Sequence, residues 1–596
     1  MSLIKSKEIA KSIGMKNWGK AGELTGWLLM RLLRFDKLNK FYDQIKHKEG
    51  LDFINSILND LNVKFDIPED DLKRIPKEGA FITVSNHPLG AIDGILLLKL
   101  LLEQRPDYKV LASFFLEKIE PLQPYLIPVN NFENIKTKKS SISGLKMALQ
   151  HLQDGKALGI FPAGEVSTYK DGKLMVDKTW DKSALKLIYN AQVPIIPIYF
   201  HAKNSRVFYF LSRIHPILRT AALPSEAISK RRTKISVRIG KPISVKDQQS
   251  FANYDLLGDF IRKKTYILAK TFERRKEIKL PKLKKKTIKK EIIPPVETGL
   301  LEKDIEKISS HSTFLFEKND YQAFLADAKD IPNLMREIYR LREITFRLVG
   351  EGTGNELDTD KYDKYYKHLI LWDAKNKKIV GAYRMGLGSE IFEKYGIKGF
   401  YLSELFTFEP ELYEIMSKSI EMGRAFVVPE YQQKPFPLFL LWRGIIHTIL
   451  RHPQHEYLIG PVSISNNFSN FSKSLLIEFM KSNFYDAYTA QFVTPKKEFK
   501  VRLKEKDKRF IFEEARNNLN RFDKLIDELE PGALKVPVLL KKYIKQNARL
   551  ISFNVDPNFN DAIDGLMYIK ISDLPEDTVK PVLEEFESQF NENKKN

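Results

Sequence analysis

The sequence predicts an α/β protein of two domains, and three observations predict it. In the first half, strand-length apolar runs at residues 80–85, 157–160 and 193–198 are interleaved with helix-length apolar segments. In the second half an amphipathic helical pattern at residues 333–346 precedes a strand and turn at 369–377 and a second strand at 378–385. Between the halves lies a basic stretch with almost no residues that could pack. At 596 residues the chain is too long for a single core. The expected organisation is an amphipathic basic segment over 1–50, a first domain over 51–272, a linker over 273–300 and a second domain over 301–596. A less recognisable segment lies near 480–530.

Residues 18–42, WGKAGELTGWLLMRLLRFDKLNKFY, combine Trp, Leu, Met and Phe with Lys and Arg. A helix there has an apolar face and a basic rim. That composition suits an interfacial anchor and equally a helix packed on the first domain's core.

Residues 80–98, AFITVSNHPLGAIDGILLL, run from a strand into His87 and, six residues later, Asp93 at the start of a helix expected over 94–102. A His held by a carboxylate is a general base for a hydroxyl. The same residues also read as a turn at Asn86-His87-Pro88 and a helix N-cap at Asp93. LIPVN follows at 126–130, and FPAGE at 161–165 leaves the strand 157–160. VPIIPI at 193–198 is a third strand, whose prolines place it at a sheet edge or a strand end.

Residues 273–291 hold ten Lys or Arg against three Glu, and two prolines follow at 294 and 295. The run reads as a solvated, extended linker, and such a tether also suits anionic lipid. In the second half, Arg342 and Phe346 lie on the amphipathic helix. Asp358, Asp360 and Asp363 lie in the next loop, Arg384 on the second strand, and Glu421 and Arg424 in IEMGRAFV. Carboxylates interleaved with arginines suit a zwitterionic, amino-acid-like ligand, although any one such pair is an ordinary surface ion pair.

The chain contains no Cys, which excludes disulfides, a thiolate nucleophile and Cys-ligated zinc. No residue pattern demands a metal. The net charge of +22 calls for an anionic partner. No helix-turn-helix, zinc-finger or RNA-recognition signature accompanies it, so nucleic acid is not expected. The N-terminus lacks a signal peptide's apolar core, and the longest apolar runs are short or interrupted by Lys99, Arg443 and His447. The expectation is a cytoplasmic protein, peripheral on the inner membrane face.

NHPLGAIDG, LIPVN, FPAGE and VPIIP, in this order, resemble the four sequence blocks of the glycerolipid O-acyltransferases, the family of the lysophosphatidic acid acyltransferases. The resemblance covers roughly residues 60–245. It implies that family's αβ fold, His87 as base on an acceptor hydroxyl that attacks an acyl thioester, Asp93 orienting the ring, and Asn86, Asn130, Gly164 and Glu165 at the substrate. The chain departs from the family in three ways. Five residues separate His87 from Asp93 where four are common. Glu165 follows Gly164 instead of preceding it. Val166-Ser167 and Asn130 occupy positions where basic residues would hold a phosphate, which argues against a phosphate-bearing acceptor.

Arg342, Phe346, Asp360, Asp363, Arg384, Glu421 and Arg424 resemble, in order and spacing, the charged signature of the acyl-homoserine-lactone synthases, which belong to the Gcn5-related N-acyltransferase superfamily. The tryptophan those enzymes carry between their Phe and first Asp is absent, which favours the similar N-acyltransferases of ornithine-lipid synthesis. The resemblance covers about residues 315–572. It implies a Gcn5-related α/β fold, an amine attacking an acyl thioester, and Glu421 as base. Arg384 and Arg424 then contact donor or acceptor, Arg342 and Phe346 lie at the substrate, and Asp360 and Asp363 hold the amino acid or brace the arginines.

Together the halves resemble the bifunctional ornithine-lipid and glycine-lipid synthases. That resemblance implies N-acylation of ornithine or glycine with a 3-hydroxyacyl group, then O-acylation of the 3-hydroxyl. It implies no bound cofactor, acyl carrier protein or coenzyme A thioester as donor, and an amino acid, a lyso-aminolipid and a membrane surface as partners. The alternatives are a lysophospholipid O-acyltransferase with an accessory second domain and a non-enzymatic basic adaptor for membrane or nucleic acid.

Overall fold

The computed structural model describes residues 6, 19–32, 35–129, 138–170, 174–205, 208–209, 226, 233–272, 290–309, 312–530 and 534–593. The chain forms two compact units, residues 1–273 with 527–533 and residues 274–526 with 534–596. Asn130 and residues 273–289 of the expected linker lie outside the described residues.

The first unit is built on a seven-stranded sheet of β1 (Lys64–Asp66), β2 (Phe81–Ser85), β3 (Lys109–Ser113), β4 (Leu126–Val129), β5 (Ala157–Ile160), β8 (Ile195–His201) and β9 (Lys234–Ile239), with a separate hairpin of β6 (Thr168–Lys170) and β7 (Leu174–Val176). The sheet order is β1-β9-β8-β2-β5-β3-β4. All neighbours are parallel except β8 and β9. A parallel sheet needs cover on both faces, so its central strands are apolar throughout. Side chains alternate: Phe81 joins Phe53, Leu97 and Leu101 on one face, while Ile82 and Val84 join Leu152, Ile188 and Ile261 on the other. The first face is covered by α3 (Gly50–Asp60) and α4 (Ala91–Leu102). The second is covered by α5 (Lys138–Gln153), α6 (Lys182–Ala191) and α7 (Tyr254–Ile267).

Three local expectations are corrected. The helix expected to begin at residue 94 begins at Ala91, and its N-cap is Gly90, so Asp93 sits inside the first turn, where it accepts the Gly94 N–H at 3.0 Å. Strand β8 is central rather than at an edge, with Pro197 opposite Val84 of β2. The ring is tolerated because the β9 ladder is irregular there: it runs to Ile198 opposite Ile239, then resumes at an Ile195–Ile243 bridge. The two readings of residues 18–42 divide between two helices. α2 (Phe35–Ile45) buries Tyr42 and Ile45 in the core, whereas α1 (Gly19–Leu32) leaves Leu24, Trp27 and Leu28 exposed.

The second unit carries an eight-stranded sheet. In sheet order it runs β10 (Phe314–Lys318), β11 (Tyr321–Asp327), β12 (Lys367–Asp373), β13 (Lys378–Leu387), β15 (Ser419–Val427), β16 (Tyr457–Ile464), β19 (Ala562–Lys570) and β18 (Arg549–Asp556). A small pair of β14 (Phe406–Phe408) and β17 (Val493–Pro495) lies apart. The β10–β11 hairpin precedes α8 (Pro332–Leu348), so this core is not opened by a helix alone. The apolar run near residues 436–450 forms α9 (Pro437–Arg451).

Two irregularities shape this sheet. β15 and β16 are the one parallel pair, and they pair over three residues only, Ser419–Glu421 against Tyr457–Ile459. Past Glu421 the strands part although both continue. On its other side β15 carries an extra residue between the partners of Ala382 and Arg384, a bulge that holds Arg424 at a φ of 48°. A left-handed non-glycine costs on the order of 1–3 kcal/mol and such residues cluster at functional sites. Among the described residues no helix is long and apolar enough to cross a membrane.

Candidate functional site

The first unit gathers its polar residues where β2 and β5 end. β2 passes into the loop 86–90, and α4 returns beside it. Asn86 is buried and spent on the backbone: its side-chain carbonyl accepts the Phe200 N–H at 2.7 Å, and its amide donates to the Phe200 carbonyl at 3.0 Å. Gly90, at a φ of 82°, takes a turn that other residues resist. The turn brings Asp93 back under the loop, where its carboxylate accepts the N–H of Leu89 at 2.8 Å. His87 Nδ1 lies 3.0 Å from Asp93 Oδ1, without the alignment of a linear hydrogen bond. The five-residue spacing therefore reaches.

His87 stacks on Phe161 at 4.3 Å between ring centroids. Burial alone would disfavour the imidazolium, but the Asp93 charge and contact, with Asp177 adding to them, outweigh it and raise the imidazole above its ordinary value of 6.5. Of the FPAGE residues, Gly164 turns at a φ of 64° and Glu165 pairs with Lys178. Val166 and Ser167 are buried, so no basic side chain stands at those positions. VPIIP lies level with the middle of β2, behind the site, and serves the core.

In the second unit the charged residues form one connected network. Arg342 donates to Asp363 at 2.8 Å. Arg384 bridges Asp360 at 2.6 Å and Asp363 at 3.2 Å. Arg424 reaches Asp360 at 3.2 Å, Asp358 at 3.3 Å and the Tyr401 hydroxyl at 3.3 Å. Burial opposes ionisation of Asp363, yet Arg342 and Arg384 hold its carboxyl well below the usual range. Arg342, Asp363 and Arg384 are fully enclosed, and the Arg384 guanidinium lies within 6 Å of the rings of Tyr362, Tyr366 and Tyr401. These three residues brace the site. Asp360 and Arg424 are its more open members, at 22% and 10% side-chain exposure.

Glu421 sits at the point where β15 and β16 part. It accepts the Tyr366 hydroxyl at 2.5 Å and the Leu402 N–H at 3.0 Å. Burial pushes its carboxyl up to about 7, against the Tyr366 bond and the Arg384 charge. A carboxyl titrating near neutrality is suited to proton transfer. Phe346 is half-buried and meets Phe559 edge-on at 6.5 Å, and Phe559 lies under Arg424 at 4.5 Å. Tyr366, Tyr401 and Phe559 escape sequence reasoning, since aromatic residues at strand and loop ends read as core.

Among the described residues no group of His, Asp and Glu is arranged to hold a metal.

Both halves of the chain match known protein families. The Acyltransferase family model matches residues 16–274, and the Acetyltransferase (GNAT) domain model matches residues 341–442. The chain is similar to the glycine N(alpha)-acyltransferase of Bacteroides thetaiotaomicron, at 28% identity over 48% of this chain and 88% of that protein. It is also similar to the lyso-glycine lipid O-acyltransferase of the same organism, at 30% identity over 36% of this chain and 79% of that protein. The crystal structure of the 1-acyl-sn-glycerophosphate acyltransferase of Thermotoga maritima aligns over 42% of this chain and 90% of its own, at 17% identity and a TM-score of 0.26.

The His87 environment has a measurable consequence. Its raised value means that the stability contributed by the Asp93 pairing is fully present below pH 6.5 and is lost as pH rises through the folded-state value. In a nitrogen-detected NMR titration the His87 ring is expected to titrate above 6.5, and Asp93→Asn to bring it down. An unshifted ring in Asp93→Asn would show that the pair is not electrostatically coupled.

Proposed function

Because the chain belongs to the acyltransferase family of the lyso-glycine lipid O-acyltransferases and carries a GNAT domain behind that part, we propose that it performs two consecutive acyl transfers that build a glycine lipid. The second unit joins a 3-hydroxyacyl group to the amine of glycine, and the first unit esterifies the new 3-hydroxyl. The observation that carries this reading is that one chain matches both a glycine N(alpha)-acyltransferase and a lyso-glycine lipid O-acyltransferase. The buried Val166 and Ser167, in place of a cationic clamp, support an acceptor without a phosphate.

In the N-acyl step the glycine ammonium gives a proton to Glu421, directly or through a water, and the free amine attacks the thioester carbonyl. The C–N bond forms, the nitrogen's second proton passes to the departing thiolate as the C–S bond breaks, and Glu421 releases the first proton to solvent. Arg424 and Asp360, the accessible members of the network, hold the zwitterion. In the O-acyl step the imidazole nitrogen of His87 that faces away from Asp93 takes the hydroxyl proton as the oxygen attacks a second thioester, then returns it to the departing thiolate. Asp93 keeps the ring oriented and favours its protonated form.

The donor in this reading is acyl carrier protein, an acidic partner that a chain of net charge +22 would capture by electrostatic steering. The enzyme works at the cytoplasmic face of the membrane. Helix α1 supports this with Leu24, Trp27 and Leu28 exposed by 65%, 45% and 59% along one stripe, beside Lys20 and Arg31.

Three measurements test these statements. Expressed in a host without aminolipids, the wild type is expected to yield a di-acyl glycine lipid by mass spectrometry, His87→Ala the mono-acyl lyso-lipid, and Glu421→Ala neither. Di-acyl product from His87→Ala would sink the first site, and an ornithine headgroup would overturn glycine. The N-acylation rate is expected to fall about tenfold per unit below pH 7, where Glu421 becomes protonated. Glu421→Gln should abolish that limb and lower the rate at least about 100-fold. Replacing Leu24, Trp27 and Leu28 together with Ser should release the protein from anionic vesicles in a flotation assay while N-acylation of soluble substrate persists, and unchanged flotation would refute the α1 anchor.

A further inference from the structure

Asp177 follows the β6–β7 hairpin, outside every sequence block discussed above. It is nonetheless buried to 2% and surrounded by donors. Its Oδ1 accepts the Ser167 hydroxyl at 2.6 Å and the backbone N–H of His87 at 3.3 Å, and its Oδ2 accepts the Trp180 indole N–H at 3.4 Å. Its own N–H donates to the Tyr266 hydroxyl at 2.8 Å, and its carbonyl accepts from Arg262 at 2.7 Å. Ser167 completes the arrangement by donating its backbone N–H to the His87 carbonyl at 2.8 Å. Both peptide groups of His87 are thus held by the Ser167–Asp177 pair, while Asp93 and Phe161 hold the ring.

We propose that Asp177 is a positioning residue for O-acyl transfer, a second carboxylate that clamps His87 from its backbone side as Asp93 does from its ring side. This rests on the reading of His87 as the base. Both oxygens of Asp177 accept from neutral donors. An amide could meet Ser167 and His87 but would turn its NH2 toward the Trp180 indole N–H, so a carboxylate is the side chain that fits. Its charge acts when His87 becomes an imidazolium in the transition state. The charged groups facing that ring are Asp93 from the first turn of α4 and Asp177. From α7, Arg262 and Tyr266 touch only the Asp177 backbone, and on the neighbouring loop Glu165 is engaged by Lys178. Asp177 thus adds negative potential from the backbone side of His87.

The test uses the purified full-length protein, with N-(3-hydroxyacyl)glycine and an acyl thioester as probes and N-acylation by the second unit as an internal control. Asp177→Asn keeps the Oδ1 acceptor and removes the charge. It is expected to lower kcat for O-acylation by about 10- to 100-fold with KM little changed, and to move the acidic limb of the pH profile to lower pH. Asp177→Glu keeps the charge but misplaces it, so kcat falls with the limb in its wild-type position. That variant also decides the matter if the Asn variant does not hold its fold. Wild-type kcat in either variant, or a loss of kcat in Asp177→Asn with an unmoved limb, overturns the inference. His87→Ala, measured alongside, separates the two failures. If His87→Ala still makes ester, the reading of the base fails. If it is dead and Asp177→Asn behaves as wild type, only the role of Asp177 fails.

Discussion

A carboxylate removed from water must be met by donors or cations, and both units are arranged around that constraint. In the first unit Asp93 meets the ring of His87 and Asp177 its backbone N–H, and both are enclosed and satisfied mainly by backbone and neutral side-chain donors. In the second, Asp358, Asp360 and Asp363 alternate with Arg342, Arg384 and Arg424, so charge is cancelled by charge. Glu421 departs from this, as Glu351 and Asp564 do. It accepts from a phenol and a peptide N–H, with no cation in contact among the described residues, and burial raises its carboxyl to near neutrality as it does for the other two. The network's neutrality makes that possible, because an unpaired Arg384 beside Glu421 would hold it ionised.

The sheets supply the other half of each site. In the parallel sheet, β2 and β5 end side by side and deliver His87 and Phe161 to the same place. In the mixed sheet, the pairing of β15 with β16 ends at Glu421, and the bulge on the opposite edge of β15 turns Arg424 into reach of Asp358 and Asp360. One strand therefore presents a buried carboxyl where its pairing ends and a cation where its pairing is irregular.

Much of this is legible in the sequence, and for identifiable reasons. His87 and Asp93 lie six residues apart across a glycine, and the charged residues of the second unit fall on predictable strands and helices, so local pattern suffices. What escapes depends on distant backbone. Asp177 is invisible because its partners are a peptide group ninety residues earlier and aromatic residues on α6's approach and α7. Pro197 misleads, since a proline in a strand reads as an edge, and only the interruption of the β9 ladder admits it to the centre. Asn86 reads as turn chemistry, yet its two bonds run to Phe200, on another strand. Asp360 and Asp363 read as ligands or braces alike, and only burial separates them.

The double hydrogen bond between Asn86 and the peptide groups of Phe200 has a consequence for motion. Residue 86 mimics a paired strand residue, so the His87 loop is joined to the ladder of β8 instead of hanging from the end of β2. Tethered in this way, the loop opens at the cost of two hydrogen bonds to the sheet, and it is coupled to the strands' local stability more closely than a turn that hangs free.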